Sequence, residues 1–259
     1  GLTVLQEFGY GTSDQNTDSD FDSLPDKWEL DNSRDPLVAD YMVSAADDSH
    51  ACALDDTGVV CWGYSQTTMP KLTNPTQVSA GRLDTCALDD NGLVCWRINS
   101  NGQTTVPKLT NPTQVSAGGY HTCALDDSGV VCWGYNNLGQ TTVPTLTNPT
   151  QVSAGGGQHT CALDGTGVVC WGWNVFRQAR VPALSNPTQV SAGVDHTCAL
   201  DDTGVVCWGS NGGGETTVPD LVIDPDDDGF QGAADAFPLD AIEWLDTDAD
   251  GIGNNADAD

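Results

Sequence analysis

Two kinds of residue in this sequence have the type and spacing for chemistry: paired cysteines and alternating carboxylates. The stretch His121-Thr-Cys-Ala-Leu-Asp-Asp-Ser-Gly-Val-Val-Cys-Trp-Gly134 holds two cysteines nine residues apart. The spacing recurs at Cys52/Cys61, Cys86/Cys95, Cys123/Cys132, Cys161/Cys170 and Cys198/Cys207. Nine residues is not the Cys-x-x-Cys of a redox pair. Zinc is a weak reading, because each copy offers two sulfurs and one nearby imidazole, and Asp84 stands where the third copy has His121. A disulfide is the stronger one. A hairpin turning at Asp126-Asp127-Ser128-Gly129 sets Cys123 opposite Cys132. Ten cysteines allow many pairings, and the repetition favours the local one. Five such bonds imply an oxidising compartment.

The carboxylates alternate at both ends of the chain. From Asp18 to Glu29, the residues Asp18, Asp20, Asp22, Asp26 and Glu29 fall at positions 1, 3, 5, 9 and 12 of a loop, with the Leu24 carbonyl at position 7. That is the oxygen spacing of a twelve-residue calcium loop, although Ser23 replaces the turn glycine at position 6. The pattern returns with its glycine as Asp224, Asp226, Asp228, Gly229, Phe230 and Asp235. It returns again as Asp246, Asp248, Asp250, Gly251, Ile252, Asn254 and Asp257. Phe230 and Ile252 would turn their carbonyls to the ion, and Asp240 and Glu243 add ligands between the two loops. Magnesium fits less well, since it keeps more water. A solvated acidic linker is the plainer alternative, but a linker has no need of strict alternation. Without paired helices around the loops, the expected role of calcium is to stiffen the segment.

The elements that position the cysteines repeat. Successive first cysteines are 34, 37, 38 and 37 residues apart, and a period of this kind governs the fold. Cys123, Leu125, Val130 and Cys132 share one face of the hairpin with His121; Thr122, Ala124, Val131 and Trp133 share the other. Both faces carry apolar residues, which predicts strands buried on both sides. Three zones follow: an acidic segment 1–40 with an apolar start at Leu2 to Tyr10, the repeats 41–220, and an acidic segment 221–259. Thirty-seven acidic residues against eight basic ones give a net charge of -29, which argues against nucleic acid and anionic lipid as partners. No apolar run is long enough for a membrane span. No signal peptide is visible, and Gly1-Leu2-Thr3 reads as the start of a processed chain. Asn74, Asn111, Asn148 and Asn186 each precede proline, which blocks glycosylation there.

The pattern Val-Ser-Ala-Gly, His-Thr-Cys-Ala-Leu, Gly-Val-Val-Cys-Trp-Gly, Gly-Gln over residues 41–220 resembles the RCC1-type repeat in its bacterial, secreted variety. The ends resemble thrombospondin type 3 calcium repeats. The resemblance implies an all-β fold: a β-propeller of four-stranded blades, usually seven, or, with five repeats here, an open array of disulfide-stapled units. The second repeat departs at Arg97-Ile98, and the first is shortened over Tyr64 to Met69. The family's action on a small GTPase and on chromatin is not carried over, because no exchange residues map onto this acidic chain.

No catalytic constellation is visible, so the chain reads as non-enzymatic. His50, His121, His159 and His196 each lie two residues before a first cysteine, and a repeated position argues for a repeated structural bond. The pairs Asp55-Asp56, Asp89-Asp90, Asp126-Asp127 and Asp201-Asp202 read as turns. Trp62, Trp96, Trp133, Trp171 and Trp208 read as packing, while Tyr64, Tyr135 and Trp173 are candidate surface contacts. The expected function is an extracellular or cell-surface structural or adhesive calcium-binding protein, either self-associating into fibres or binding a protein or glycan ligand.

Overall fold

The computed structural model describes residues 42–45, 50–55, 58–63 and 69–219. Among these residues, fifteen strands form five three-stranded antiparallel sheets, one per repeat. The first sheet is β1 (Met42–Ala45), β2 (His50–Asp55) and β3 (Gly58–Gly63). The second is β4 (Gln77–Ala80), β5 (Asp84–Asp89) and β6 (Gly92–Arg97). The third is β7 (Gln114–Ala117), β8 (His121–Asp126) and β9 (Gly129–Gly134). The fourth is β10 (Gln151–Ala154), β11 (His159–Asp164) and β12 (Gly167–Gly172). The fifth is β13 (Gln189–Ala192), β14 (His196–Asp201) and β15 (Gly204–Gly209).

The register is the one that the alternation predicts. Cys123 opposes Cys132, Leu125 opposes Val130 and Thr122 opposes Trp133. A slip of one residue would turn every side chain to the other face, so the disulfide and the apolar pattern reinforce each other. All five cysteine pairs are bonded, with Cα atoms 4.0–4.1 Å apart.

Both faces of the sheets are buried because each inner sheet lies between two others. The cysteine face packs forward: Cys86 and Leu88 meet Val115 and Ala117 of the next repeat, and Cys123 meets Val152 and Ala154. The opposite face packs backward, so Ala87 and Trp96 join the cluster of Cys52, Leu54 and Val59. Burying one such valine or leucine contributes roughly 1.5–3 kcal/mol, and every seam repeats the arrangement. Sheets meet consecutive sheets, giving an open repeat array. The repeat carries three strands where the resemblance implied four: the segments after β6, β9 and β12 run as turns and extended chain. Backbones come close at the Val-Ser-Ala-Gly corner. A Cβ on Gly118 would lie 2.8 Å from the Gly155 carbonyl oxygen, so only glycine fits there.

Replacing Cys123 and Cys132 by serine removes a short staple and is expected to lower stability by about 2–3 kcal/mol, read as a lower urea midpoint. Intact mass before and after reduction should differ by ten hydrogens, two for each disulfide.

Candidate functional site

The first strand of the second to fifth repeats pairs on one edge only, which leaves backbone N–H groups facing the preceding repeat. Side chains of that repeat accept them. The Val115 N–H donates to Gln77 Oε1 (2.8 Å) and the Ala117 N–H to Ser79 Oγ (3.0 Å). Val152 and Ala154 donate likewise to Gln114 and Ser116, at 2.8 and 2.9 Å. Val190 and Ala192 donate to Gln151 and Ser153, at 2.8 and 2.9 Å. The Gln-Val-Ser-Ala strand therefore presents acceptors forward and donors backward.

Histidine adds a second link. His121 Nε2 lies 2.8 Å from Thr160 Oγ1, His159 Nε2 2.9 Å from Thr197 Oγ1, and His50 Nε2 2.7 Å from Thr85 Oγ1. The Thr160 and Thr197 hydroxyls are already spent as donors, to the Gln140 and Gln178 carbonyls at 2.9 Å each. The imidazole must then donate, which assigns the neutral Nε2–H tautomer. Burial pushes His121 down to about 3, helped by the charge of His159, and pushes His159 down to about 4. The repeated structural bond expected of the histidines is present, and it joins neighbouring sheets.

Gln103, Gln140 and Gln178 are fully buried and hold each loop to the next sheet. Their carbonyls accept the indole N–H of Trp133, Trp171 and Trp208 at 2.7–2.9 Å. Their Oε1 atoms accept the N–H groups of Asn101, Leu138 and Phe176. Sequence reasoning assigned these glutamines no role. Their recurrence seven residues after Trp96, Trp133 and Trp171 was the available signal.

The second repeat departs at linked positions. Asp84 takes the histidine place and Arg97 the place of the glycine opposite it, and the two are register partners. Arg97 Nη1 donates to His50 Nδ1 at 2.7 Å. Burial first, and the Arg97 charge second, push His50 down to about 4. Asp84 is fully buried, and desolvation pushes it up to about 7 against the Thr122 hydroxyl and the Arg97 charge.

The turn aspartates are structural. Asp126 Oδ2 accepts the Thr110 N–H (2.9 Å), Asp126 Oδ1 accepts the Ser128 N–H (2.8 Å), and Asp127 accepts the Asn111 side-chain amide (2.7 Å). Asn111 has φ 50, a left-handed conformation that asparagine tolerates. Among the described residues no group of three or more His, Cys, Asp or Glu could hold a metal. Asp18, Asp20, Asp22, Leu24, Asp26 and Glu29 lie outside the described residues, as do the candidate ligands from Asp224 to Asp257, and Tyr64. Of the candidate surface aromatics, Tyr135 is half-buried against Tyr120, ring centroids 6.2 Å apart. Trp173 is half-buried against Phe176, 5.7 Å away.

The buried titratable groups predict a stability profile. The histidine values lie below the ordinary value of about 6.5, so their contribution is full above it and is lost as pH falls through 4 towards 3. Asp84 has the opposite sign: its contribution is present below about 4 and is lost as pH rises through 7. Urea midpoints of the wild type and Asp84→Asn from pH 3 to 8 should both fall on the acid side. The advantage of the variant should grow between pH 5 and 8.

The profile of the regulator of chromosome condensation (RCC1) repeat matches residues 113–140, 150–178 and 188–215. No curated protein matches the chain in sequence. The CRINKLY WD40 ectodomain of the Arabidopsis thaliana receptor kinase ACR4 is similar, at TM-score 0.58 and 30% identity over 68% of this chain and 66% of that one. The entire ectodomain of the Physcomitrella patens receptor kinase CR4 gives TM-score 0.57 and 29% identity over 66% of this chain and 50% of that one. Prp20p from Saccharomyces cerevisiae gives TM-score 0.58 and 19% identity over 70% of this chain and 60% of that one, a likeness of fold. The chain thus spans between half and two-thirds of these chains, which come from two plants and a yeast. Parts of the seam built by Gln, Ser, His and Thr in the three matched repeats extend through the second repeat to the first; the chain thus carries RCC1-like repeats in a fold similar to that of these ectodomains.

Proposed function

We propose that the chain is a protein-binding module of an extracellular or cell-surface protein, a non-enzymatic repeat array set between calcium-binding segments. One observation carries this reading: the seams and hairpin turns repeat from unit to unit, while the exposed loop after each tryptophan differs. The loops 98–102, 135–139, 173–177 and 210–214 share one asparagine, Asn99, Asn136, Asn174 or Asn211. Its side-chain oxygen accepts the N–H of Thr104, Thr141, Ala179 or Thr216. Three of the four also share a glycine, Gly102, Gly139 or Gly214, and the remaining positions vary in size and polarity. A rigid frame carrying variable loops is how proteins build recognition surfaces. Two receptor-kinase ectodomains at 29% and 30% identity support the reading, as does Prp20p, whose binding to Gsp1p and histones is described. Five disulfides support an oxidising compartment. The bacterial origin that the repeat resemblance implies rests on the motif alone.

Self-association is the second reading. Gln189 and Ser191, whose counterparts accept N–H donors from the next sheet in earlier repeats, are exposed on the fifth sheet. Electron microscopy in calcium and in chelator should show filaments if this reading holds and discrete particles if it fails.

A displayed peptide library and a glycan array test the main proposal. Peptides whose binding is lost when the four loops are replaced by Gly-Ser linkers are expected. Glycan binding without peptide enrichment would transfer the loops to a sugar ligand. For the calcium segments, calorimetric titration of chelator-treated protein should show calcium uptake that disappears when Asp224, Asp226, Asp246 and Asp248 are changed to asparagine; no uptake by the wild type refutes that assignment.

A further inference from the structure

The loop of the fourth repeat departs from the others at five positions. Where the second, third and fifth repeats have Ser100, Asn137 and Gly212, it has Val175; where they have Asn101, Leu138 and Gly213, it has Phe176. Arg177 replaces Gly102, Gly139 and Gly214, while Ala179 and Arg180 replace threonines such as Thr141 and Thr142. Two of these changes work against the fold. The glycines have φ between 81 and 95, and Arg177 keeps that left-handed conformation at φ 65, a strained state for a residue with a Cβ. Arg180 removes the hydroxyl that accepts the Asn99 or Asn136 side-chain amide in the second and third repeats.

What the loop gains faces outward. Val175 is 68% exposed and Phe176 43% exposed. Arg177 and Arg180 are exposed, and neither makes an ion pair with any described residue. They line a groove of about 500 Å3 together with Pro182 and Trp208 of the next sheet. They are two of only eight basic residues in a chain of net charge -29. The turn aspartates lie at the far ends of the hairpins. Six strand residues place them roughly 17 Å away, beyond the screening length of about 8 Å at physiological salt. At the near end, Glu215 is occupied by the Gly213 N–H. The loop is also held in place. Gln178 is buried, its Oε1 accepts the Phe176 N–H, and Asn174 Oδ1 accepts the Ala179 N–H. A preorganised surface loses little entropy on binding.

From this loop we infer that the groove between the fourth and fifth repeats binds an acidic peptide segment of a partner protein. The two guanidinium groups take carboxylates of that segment, and Trp208 with Val181, Pro182 and Ala183 of the groove takes an apolar side chain. Guanidinium forks match carboxylates in a bidentate way, and the aromatic and aliphatic surface beside them is uncharged. The inference rests on the protein-binding reading and names the partner's chemistry at one site.

The test is a nuclear magnetic resonance titration of the whole chain with acetyl-Asp-Glu-Phe-Asp-Leu-Glu-amide, following the indole N–H signals of Trp173 and Trp208. The control peptide carries Asn and Gln in place of the acids. The double variant Arg177→Gly with Arg180→Thr restores the residues of the other repeats. The acidic peptide is expected to shift both signals and to weaken at least tenfold both in the double variant and on replacing it with the neutral peptide. The variant itself should unfold at a higher urea concentration than the wild type, which separates lost binding from lost fold. Absence of binding to the wild type, or binding equal in the variant or with the neutral peptide, overturns the inference. Library peptides that still bind the double variant would leave the protein-binding reading standing without this site.

Discussion

An unpaired strand edge carries a row of N–H groups that must find acceptors, and this array is built around that requirement. The second to fifth sheets each begin with an edge strand, Gln-Val-Ser-Ala, whose outer N–H groups point at the previous repeat. The Gln and Ser side chains of that repeat act as a substitute for a further strand. Each strand therefore terminates the seam behind it and opens the seam ahead. The disulfide stands under this contact, with Cys123 packed on Val152 and Ala154. Histidine and threonine close it from the other side of the strand.

The second repeat shows how tightly these parts are coupled. Between tryptophan and proline the first repeat has seven residues, 63–69, where the others have ten, as in 134–143. In the later seams that segment supplies the buried glutamine that lies against the glycine opposite histidine: a Cβ on Gly172 would fall 3.1 Å from Gln140 Cα. In the seam that follows the short segment, arginine replaces that glycine and reaches His50. Asp84 then stands opposite Arg97 in place of histidine. The three departures form one rearrangement of a hydrogen-bond network, and groups in one network do not act additively. The structure leaves Asp84 Oδ1 and the Nδ1 atoms of His121 and His159 buried without a partner, and burial keeps the two imidazoles neutral and raises Asp84 to about 7.

Stability and recognition are divided between different residues. Buried positions recur because each seam imposes the same packing, and a repeat that failed to bond its neighbour would weaken two seams. The loops after each tryptophan are less constrained, and an asparagine and, in three repeats, a buried glutamine anchor them. Arg177, holding a glycine's conformation, shows a loop position set by something other than the stability of its own turn.

The sequence by itself determined the period, because one motif recurs, and the hairpins, the cysteine pairing and the faces of each strand, because these depend on residues within ten positions of one another. Cys123 and Cys132 flank one turn, and alternation settles where Thr122 and Trp133 point. The histidine position announced a repeated bond but not its partner. Only the tertiary structure decided that His121 meets Thr160, that Gln77 accepts from Val115, and that the carbonyl of Gln140 receives both Thr160 and Trp171. These links join residues 20 to 39 apart in the chain and exist only when one sheet is laid on the next. The fourth strand implied by the resemblance was also settled there: the segments after β6, β9 and β12 run as turns and extended chain.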